Sequence, residues 1–290
     1  MLRSFLFAPG DSARKLDKAM GVGADAIIAD LEDSIAPEGK ETARRVTAEF
    51  LQTARGAAGR PRLFVRINGL ATGLADADLD GVMAAGPDGI VLPKAVGGVD
   101  VQHLGAKLAV REAEFGLEDG GTAIIALSTE TARSLFALGG LPGASHRLKG
   151  ISWGGEDLSV EVGAQTNRLE DGTYTDPYRL ARSLTLFGAA AADVDAIDAV
   201  YINFRNEAGL AAECAAARRD GFVAKMAIHP AQVPVINEAF TPSSDMIAHA
   251  RAVVAAFAAA PGAGVVGLEG EMLDRPHLAR AERILARSGN

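Results

Sequence analysis

Residues 26–37 read AIIADLEDSIAP. A short apolar run without polar alternation is the pattern of a strand buried on both faces, the kind that parallel sheets use. Here the run stops at three acids, Asp30, Glu32 and Asp33, before Pro37 closes the segment. So much negative charge at a strand end implies either a divalent cation or a solvated loop opening a helix.

The same pattern recurs along the chain. Runs of this type are SFLFAP (4–9), AIIADL (26–31), RLFVRIN (62–68), GIVLPK (89–94), AIIALS (123–128), KGISWG (149–154), AVYINF (199–204) and FVAKMAIH (222–229). Between them SARKLDKAMGVG, KETARRVTAEFLQTA, TARSLFALGG and EAGLAAECAAARRDG carry apolar residues three and four apart, with glycines at several ends, as amphipathic helices do. Eight alternating units predict an α/β fold, the (β/α)8 TIM barrel, over residues 1–232. A doubly wound open sheet is the alternative, but no GxGxxG or Walker A loop supports it. Residues 233–290 read as a C-terminal helical arm or lid. It comprises a helix near 231–239, a capped break at Thr241–Asp245, a helix to Ala260, a flexible hinge at 261–266 and a last segment containing EMLDRPHLARAERIL. This arm is expected to pack over its own barrel or over a neighbouring subunit.

Composition narrows the function. A net charge of -8 and a pI near 5.2 argue against nucleic-acid binding. Cys214 is the lone cysteine, which rules out an internal disulfide framework and a cysteine zinc site. MLRSFLFAPGD is too short in its apolar part for a secretory signal, and no run of about 18 apolar residues suits a membrane span. The expectation is a soluble cytoplasmic protein with no membrane partner.

In a barrel of this kind chemistry sits after the strands. The candidates are Asp30, Glu32 and Asp33 on strand 2, Arg66 on strand 3, Lys94 on strand 4, Glu130 on strand 5, Glu156 and Asp157 on strand 6, and His229 on strand 8. Mg2+ takes one or two carboxylates and completes its shell with water and substrate oxygens, which suits Glu130 and Asp157. A helix cap or solvated loop is the alternative for either acid alone. Arg66 offers a bidentate cation to a carboxylate or a developing enolate, or else a structural ion pair with the strand 2 acids. Lys94 reads as a charge-balancing group rather than a Schiff-base amine. His229, with no second histidine at ligand spacing, reads as a hydrogen-bonded wall residue, and His103, His146, His249 and His277 receive no role.

These motifs together resemble the citrate lyase beta subunit family, which includes malyl-CoA and citramalyl-CoA lyases within the HpcH/HpaI aldolase superfamily. The resemblance rests on RSFLFAPG with Lys18 following, ADLEDSIAP, FVRING, GIVLPK, ALSTETA, WGGEDL, GFVAKMAIHPAQV with INEAFTP, and EGEMLDRPH. It implies a Mg2+-dependent lyase, with Mn2+ as an alternative ion, joining or cleaving a thioester enolate and a small 2-oxo acid. It further implies a homotrimer or a dimer of trimers. By this resemblance Glu130 and Asp157 hold the metal, and Arg66 acts at the reacting carbonyl. Phe7, Lys18, Ile228 and His229 contact the CoA thioester, with Glu156 in the substrate-binding set. Asp274 is the acid that a neighbouring subunit's arm delivers to exchange the acetyl proton. Glu32, Asp33 and Lys94 then stand behind the ligands, holding metal-bound waters or orienting Arg66. The chain departs from the family pattern at Ala224, where glycine is common before the lysine, and at Asn206, where an acid is common. Ser128 and Thr129 replace apolar residues beside the expected 2-oxo acid pocket. Competing readings are a malyl-CoA thioesterase, an acyl-carrier-protein-dependent citrate lyase subunit and a CoA-binding scaffold without activity.

Overall fold

A computed structural model of the chain describes residues 1–288. Eight parallel strands close into a barrel in sequence order: β1 (Ser4–Pro9), β2 (Ala26–Asp30), β3 (Arg62–Arg66), β4 (Gly89–Leu92), β5 (Ala123–Leu127), β6 (Leu148–Ser152), β7 (Asp195–Asp198) and β8 (Ala224–Ala227). The crossovers carry α1 (Ala13–Met20), α2 (Lys40–Ala54), α3 (Ala75–Val82), α4 (Gly98–Phe115), α5 (Ala132–Leu135), α6 (Gly155–Glu161), α7 (Asp176–Ala192) and α8 (Glu207–Asp220). The closed barrel excludes the open-sheet alternative. No helix among the described residues is long and apolar enough to cross a membrane.

Strand parity sets what faces where, because alternate residues point to opposite faces. Phe5, Ile28, Phe64, Val91, Ile125, Leu127, Ile197 and Met226 meet in one buried cluster, which is the barrel interior. Phe5 and Phe64 pack edge to face with centroids 5.7 Å apart. Two residues further along the same parity come Phe7, Asp30 and Arg66, so these three project inward at the mouth. Asp198 and Lys225 have the opposite parity and point out toward the helices.

Strand β7 corrects the reading of the sequence. The strand is DAID at 195–198, not AVYINF at 199–204, whose Ile202 and Phe204 are exposed. A central strand with two acids looks polar in sequence, yet Asp198 is buried because Lys225, in register on β8, neutralises it at 2.8 Å.

The chain divides into two compact units, Leu2–Asn237 and the residues from Glu238 on, with Met1 grouped with the latter. The division falls within α9 (Gln232–Phe240). The second unit contains α10 (Ser244–Ala259), a hairpin of β9 (Val265–Leu268) and β10 (Glu271–Asp274), and α11 (Arg275–Arg287). The expected hinge at 261–266 therefore runs into a strand. Glu269 and Gly270, both at positive φ (51° and 86°), form the two-residue turn that a twisted hairpin requires. Ala250, Val253, Phe257, Val266, Leu273 and Ala281 form this unit's core.

Candidate active site at the mouth of the barrel

Arg66 is the hub of the mouth. It lies opposite Asp30 in the β2–β3 register, and the pair is bidentate, with Nε and one terminal nitrogen each 2.7 Å from a different Asp30 oxygen. The other terminal nitrogen meets Glu32 at 2.9 Å and Asp33 at 3.6 Å. The guanidinium carbon sits 4.9 Å from the centre of the Phe7 ring. Burial alone pushes Asp30 up, but the hydrogen bonds and charge of Arg66 hold its carboxyl below the usual range. Burial likewise opposes the Arg66 charge, and the surrounding acids override it, so the guanidinium stays cationic. The ion-pair reading of Arg66 thus holds, and the paired guanidinium stands at the mouth.

Lys94 ties three strand ends together. Its ammonium lies 2.6 Å from Glu32, 3.3 Å from Asp157 and 3.6 Å from Asp33. Its backbone is left-handed (φ 52°), which costs a non-glycine residue about 1–3 kcal/mol. The conformation aims its N–H at Glu130, 2.6 Å away. Burial disfavours the Lys94 charge but Glu32 restores it and more, so the amine is held protonated; this opposes a Schiff-base role.

Glu130 is buried, and its carboxyl is pushed up to about 8, first by burial and then by the charge of Asp157, against the pull of the Lys94 N–H. Burial also raises Glu32, despite Arg66 and Lys94. Five acids, Asp30, Glu32, Asp33, Glu130 and Asp157, therefore share two cations. Such an excess suits a further divalent cation.

The donors also suit a hard ion. Among the described residues no three or more His, Cys, Asp or Glu side chains gather as a complete metal cage. Mg2+ needs none, since it keeps several waters and takes one or two carboxylates. Gly154 makes room for this arrangement, because a Cβ there would stand 2.6 Å from Glu130 Cγ and 2.8 Å from its Oε1.

Some expected residues of the barrel unit lie apart from this cluster. Glu156 is exposed and accepts a hydrogen bond from Asn167 at 2.7 Å. Lys18 is exposed in the last turn of α1. Ile228 is 41% exposed, and His229 stacks on Phe204 with centroids 4.6 Å apart. The His229 Nδ1 accepts from the Ala231 N–H at 3.2 Å, in keeping with a wall residue. Ser128 and Thr129 are fully buried, and Thr129 is hydrogen-bonded to Thr185 of α7 at 3.1 Å, so its hydroxyl is not presented to the mouth. Asn206 caps α8 by accepting from the Gly209 N–H, a task an aspartate does equally well. In the second unit Asp274 is exposed at the start of α11, 2.5 Å from His277 Nδ1, and this contact lowers its pKa.

Two features escaped the sequence reading. Lys40 donates to the carbonyls of Leu31 and Glu32, each at 2.7 Å, and to Asn68 at 2.8 Å, which fixes the loop bearing the strand 2 acids. Nothing in its spacing announces this. The second feature is the outward network of Lys225 with Asp198 and Glu213, each at 2.8 Å, and of Trp153 with Asp198. Its signal was present: a lysine inside the apolar run FVAKMAIH needs a buried acid.

Residues 3–230 match the HpcH/HpaI aldolase/citrate lyase family. The chain belongs to that family. It is 34% identical over 285 residues to the citrate lyase subunit beta of Leuconostoc mesenteroides subsp. cremoris, covering 98% of this chain and 92% of that protein. It is 35% identical over 293 residues to a (3S)-malyl-CoA thioesterase of Cereibacter sphaeroides, covering 99% and 94%. Among solved structures, CitE of Mycobacterium tuberculosis in complex with magnesium, acetoacetate and coenzyme A superimposes with a TM-score of 0.78 at 33% identity, covering 100% of this chain and 98% of that one.

Proposed function

We propose that this barrel is a Mg2+-dependent carbon–carbon lyase that cleaves or forms the bond between acetyl-CoA, or a similar acyl-CoA, and a small 2-oxo acid. The observation that carries the reading is the buried Glu130 beside Asp157 at a mouth where acids outnumber cations, with Arg66 held by the strand 2 acids at the same mouth. Glu130 and Asp157 hold the ion, and Mn2+, also an oxygen seeker, is an alternative occupant. When bound, Mg2+ supplies Lewis-acid polarisation of the 2-oxo acid.

The chain's own groups do the remainder. Arg66 cannot swing, because Asp30, Glu32 and Asp33 hold it, so its charge is already aimed when an enolate oxygen develops. In cleavage of a malyl-CoA-type substrate the bond between the thioester α-carbon and the hydroxyl-bearing carbon breaks. Its electron pair stays as the enolate, a base takes the hydroxyl proton, and the hydroxyl-bearing carbon becomes the carbonyl of glyoxylate or pyruvate. In synthesis the Asp274 carboxylate removes a proton from the acetyl carbon; in cleavage the same group, having taken up a proton, returns it to the enolate carbon and acetyl-CoA is released. Asp274 is contributed by the C-terminal unit of a neighbouring subunit in a homotrimer or dimer of trimers. Phe7, Lys18, Ile228 and His229 contact the CoA thioester, and Glu156 acts in substrate binding through its side of α6. Glu32, Asp33 and Lys94 orient Arg66 and the metal's waters. The enzyme works in the cytoplasm.

The C. sphaeroides thioesterase relative favours a second reading, hydrolysis of the same thioester. A panel of malyl-CoA and citramalyl-CoA stereoisomers with Mg2+ separates the two. The lyase releases acetyl-CoA and a 2-oxo acid, whereas free CoA as the first product supports the thioesterase. Co-purification with an acyl carrier protein would instead support the citrate lyase subunit role. Binding of CoA thioesters with no turnover of any of them would reduce the protein to a scaffold.

A further inference from the structure

We propose that His277 is a positioning residue for Asp274, fixing the orientation of the carboxylate that accepts the proton. This inference rests on the reading of Asp274 as the group that exchanges the acetyl proton. His277 received no role from the sequence, yet it stands three residues from Asp274, in the first turn of α11.

The geometry is that of a reciprocal cap. Asp274 is the N-cap of α11, and its carboxylate accepts from the His277 backbone N–H while the imidazole turns back toward Asp274. His277 Nδ1 lies 2.5 Å from Asp274 Oδ1 and 3.2 Å from the Asp274 backbone nitrogen. The two contacts belong to different tautomers: with Nδ1 unprotonated the ring accepts the Asp274 N–H, and with Nδ1 protonated it donates to Oδ1 at 2.5 Å, the shorter contact and the one that holds the carboxylate. One oxygen is thereby engaged, and the carboxylate plane is fixed. An N-cap acid with no such partner would turn freely between its two oxygens.

The surroundings keep the pair intact. Arg280 of α11 and His249 of α10 line, together with His277, a cavity of about 150 Å3 whose remaining walls are Ala250, Val253, Leu273, Ala281 and Ile284. Arg275 follows Asp274 and lies over Phe257 of α10, while Glu271 precedes it on β10. The paired strand β9 (VVGL) carries no titratable side chain. Of the charged side chains among these, Arg275 and Arg280 are cationic and Glu271 is anionic. With Asp274 held below the usual carboxylate range by His277, the base is ionised well into mild acid.

The test is the deuterium exchange of the acetyl-CoA methyl group in D2O, followed by NMR against pH with the Mg2+-loaded full chain. Asp274→Asn should abolish exchange. His277→Ala should lower the plateau rate by ~10- to 100-fold through misplacement of the acid, with the acetyl-CoA KM within about twofold. His277→Asn restores a neutral donor at the same reach, so it should recover the plateau. In both His277 variants the acid limb should move to higher pH, toward an ordinary carboxylate. A purely structural cap would not move that limb. Unchanged limbs in both variants, with Asp274→Asn inactive, would overturn the inference alone. Wild-type exchange in Asp274→Asn would overturn the Asp274 assignment and the inference with it.

Discussion

Lys94 reaches Glu130 through its backbone rather than its side chain: the left-handed turn at Lys94 aims an N–H at the Glu130 carboxylate over 2.6 Å. The ammonium of the same residue is left free to hold Glu32 and Asp157. One residue after β4 therefore sets the positions of acids from β2, β5 and β6, the strand ends where the proposed metal binds.

Removal of these acids should produce graded losses. Glu32→Gln and Asp33→Asn should weaken metal affinity or rate by ~10- to 100-fold, because they act on the metal's waters and on Arg66 rather than on the ion. Glu130→Gln and Asp157→Asn should cost more than either. Titration calorimetry with Mg2+ and Mn2+ reads the order directly, and equal losses in all four variants would remove the distinction.

Gly154→Ala should remove metal-dependent turnover while sparing the fold. The backbone at Gly154 (φ -135°) suits any residue, but the added methyl would collide with Glu130. Circular dichroism should be unaltered and Mg2+ affinity reduced. Full Mg2+ affinity in this variant would mean that Glu130 can retreat without loss and is not a ligand.

Acid stability should depend on a pair far from the acid cluster in sequence. Glu112 accepts two hydrogen bonds from Arg147, each at 2.6 Å, and both side chains are buried. Burial pushes Glu112 up, but Arg147 and the N–H groups of Thr122 and Gly120 bring its carboxyl down to about 2. A carboxylate with a depressed folded pKa stabilises the fold above its unfolded value near 4.3, and this contribution is lost as pH falls toward 2. Chemical denaturation from pH 7 to 2 should show wild type losing stability over that window. Glu112→Gln should start ~3–5 kcal/mol lower and lose less on acidification, because Arg147 has already lost its buried partner and keeps only the exposed Asp119.

The outward network makes a complementary prediction. Asp198→Ala should destabilise the barrel by ~3–5 kcal/mol by stripping one partner from Lys225, yet leave turnover per folded molecule unchanged. A thermal melt paired with an active-site-normalised rate checks both halves.

Seven of the eight strands were legible because their apolar runs end in turn residues, and the closure into a barrel followed from their number and alternation. Strand β7 was not legible, because the ion pair that makes Asp198 tolerable lies on β8, beyond any local pattern. The hairpin in the C-terminal unit was hidden behind PGAGVV, whose glycines suggest a hinge while Glu269 and Gly270 form the actual turn. In the mouth the residue types and strand ends of Asp30, Glu32, Arg66, Lys94, Glu130 and Asp157 were readable. Which acid meets which cation was not, since that depends on register and on the left-handed backbone at Lys94. Lys40 acts through contacts that carry no motif, and His277, although it ends the EGEMLDRPH motif, meets Asp274 in a cap that the motif does not announce.

The central claim is that Glu130 and Asp157 support metal-dependent carbon–carbon cleavage of a CoA thioester. The most direct measurement follows acetyl-CoA and 2-oxo acid release from malyl-CoA or citramalyl-CoA by wild type and by Glu130→Gln, each with Mg2+ and with chelator. The account predicts stoichiometric acetyl-CoA and 2-oxo acid from wild type with Mg2+, and loss of both with chelator or in the folded variant. Equal product release by Glu130→Gln, or release that persists in chelator, would contradict it.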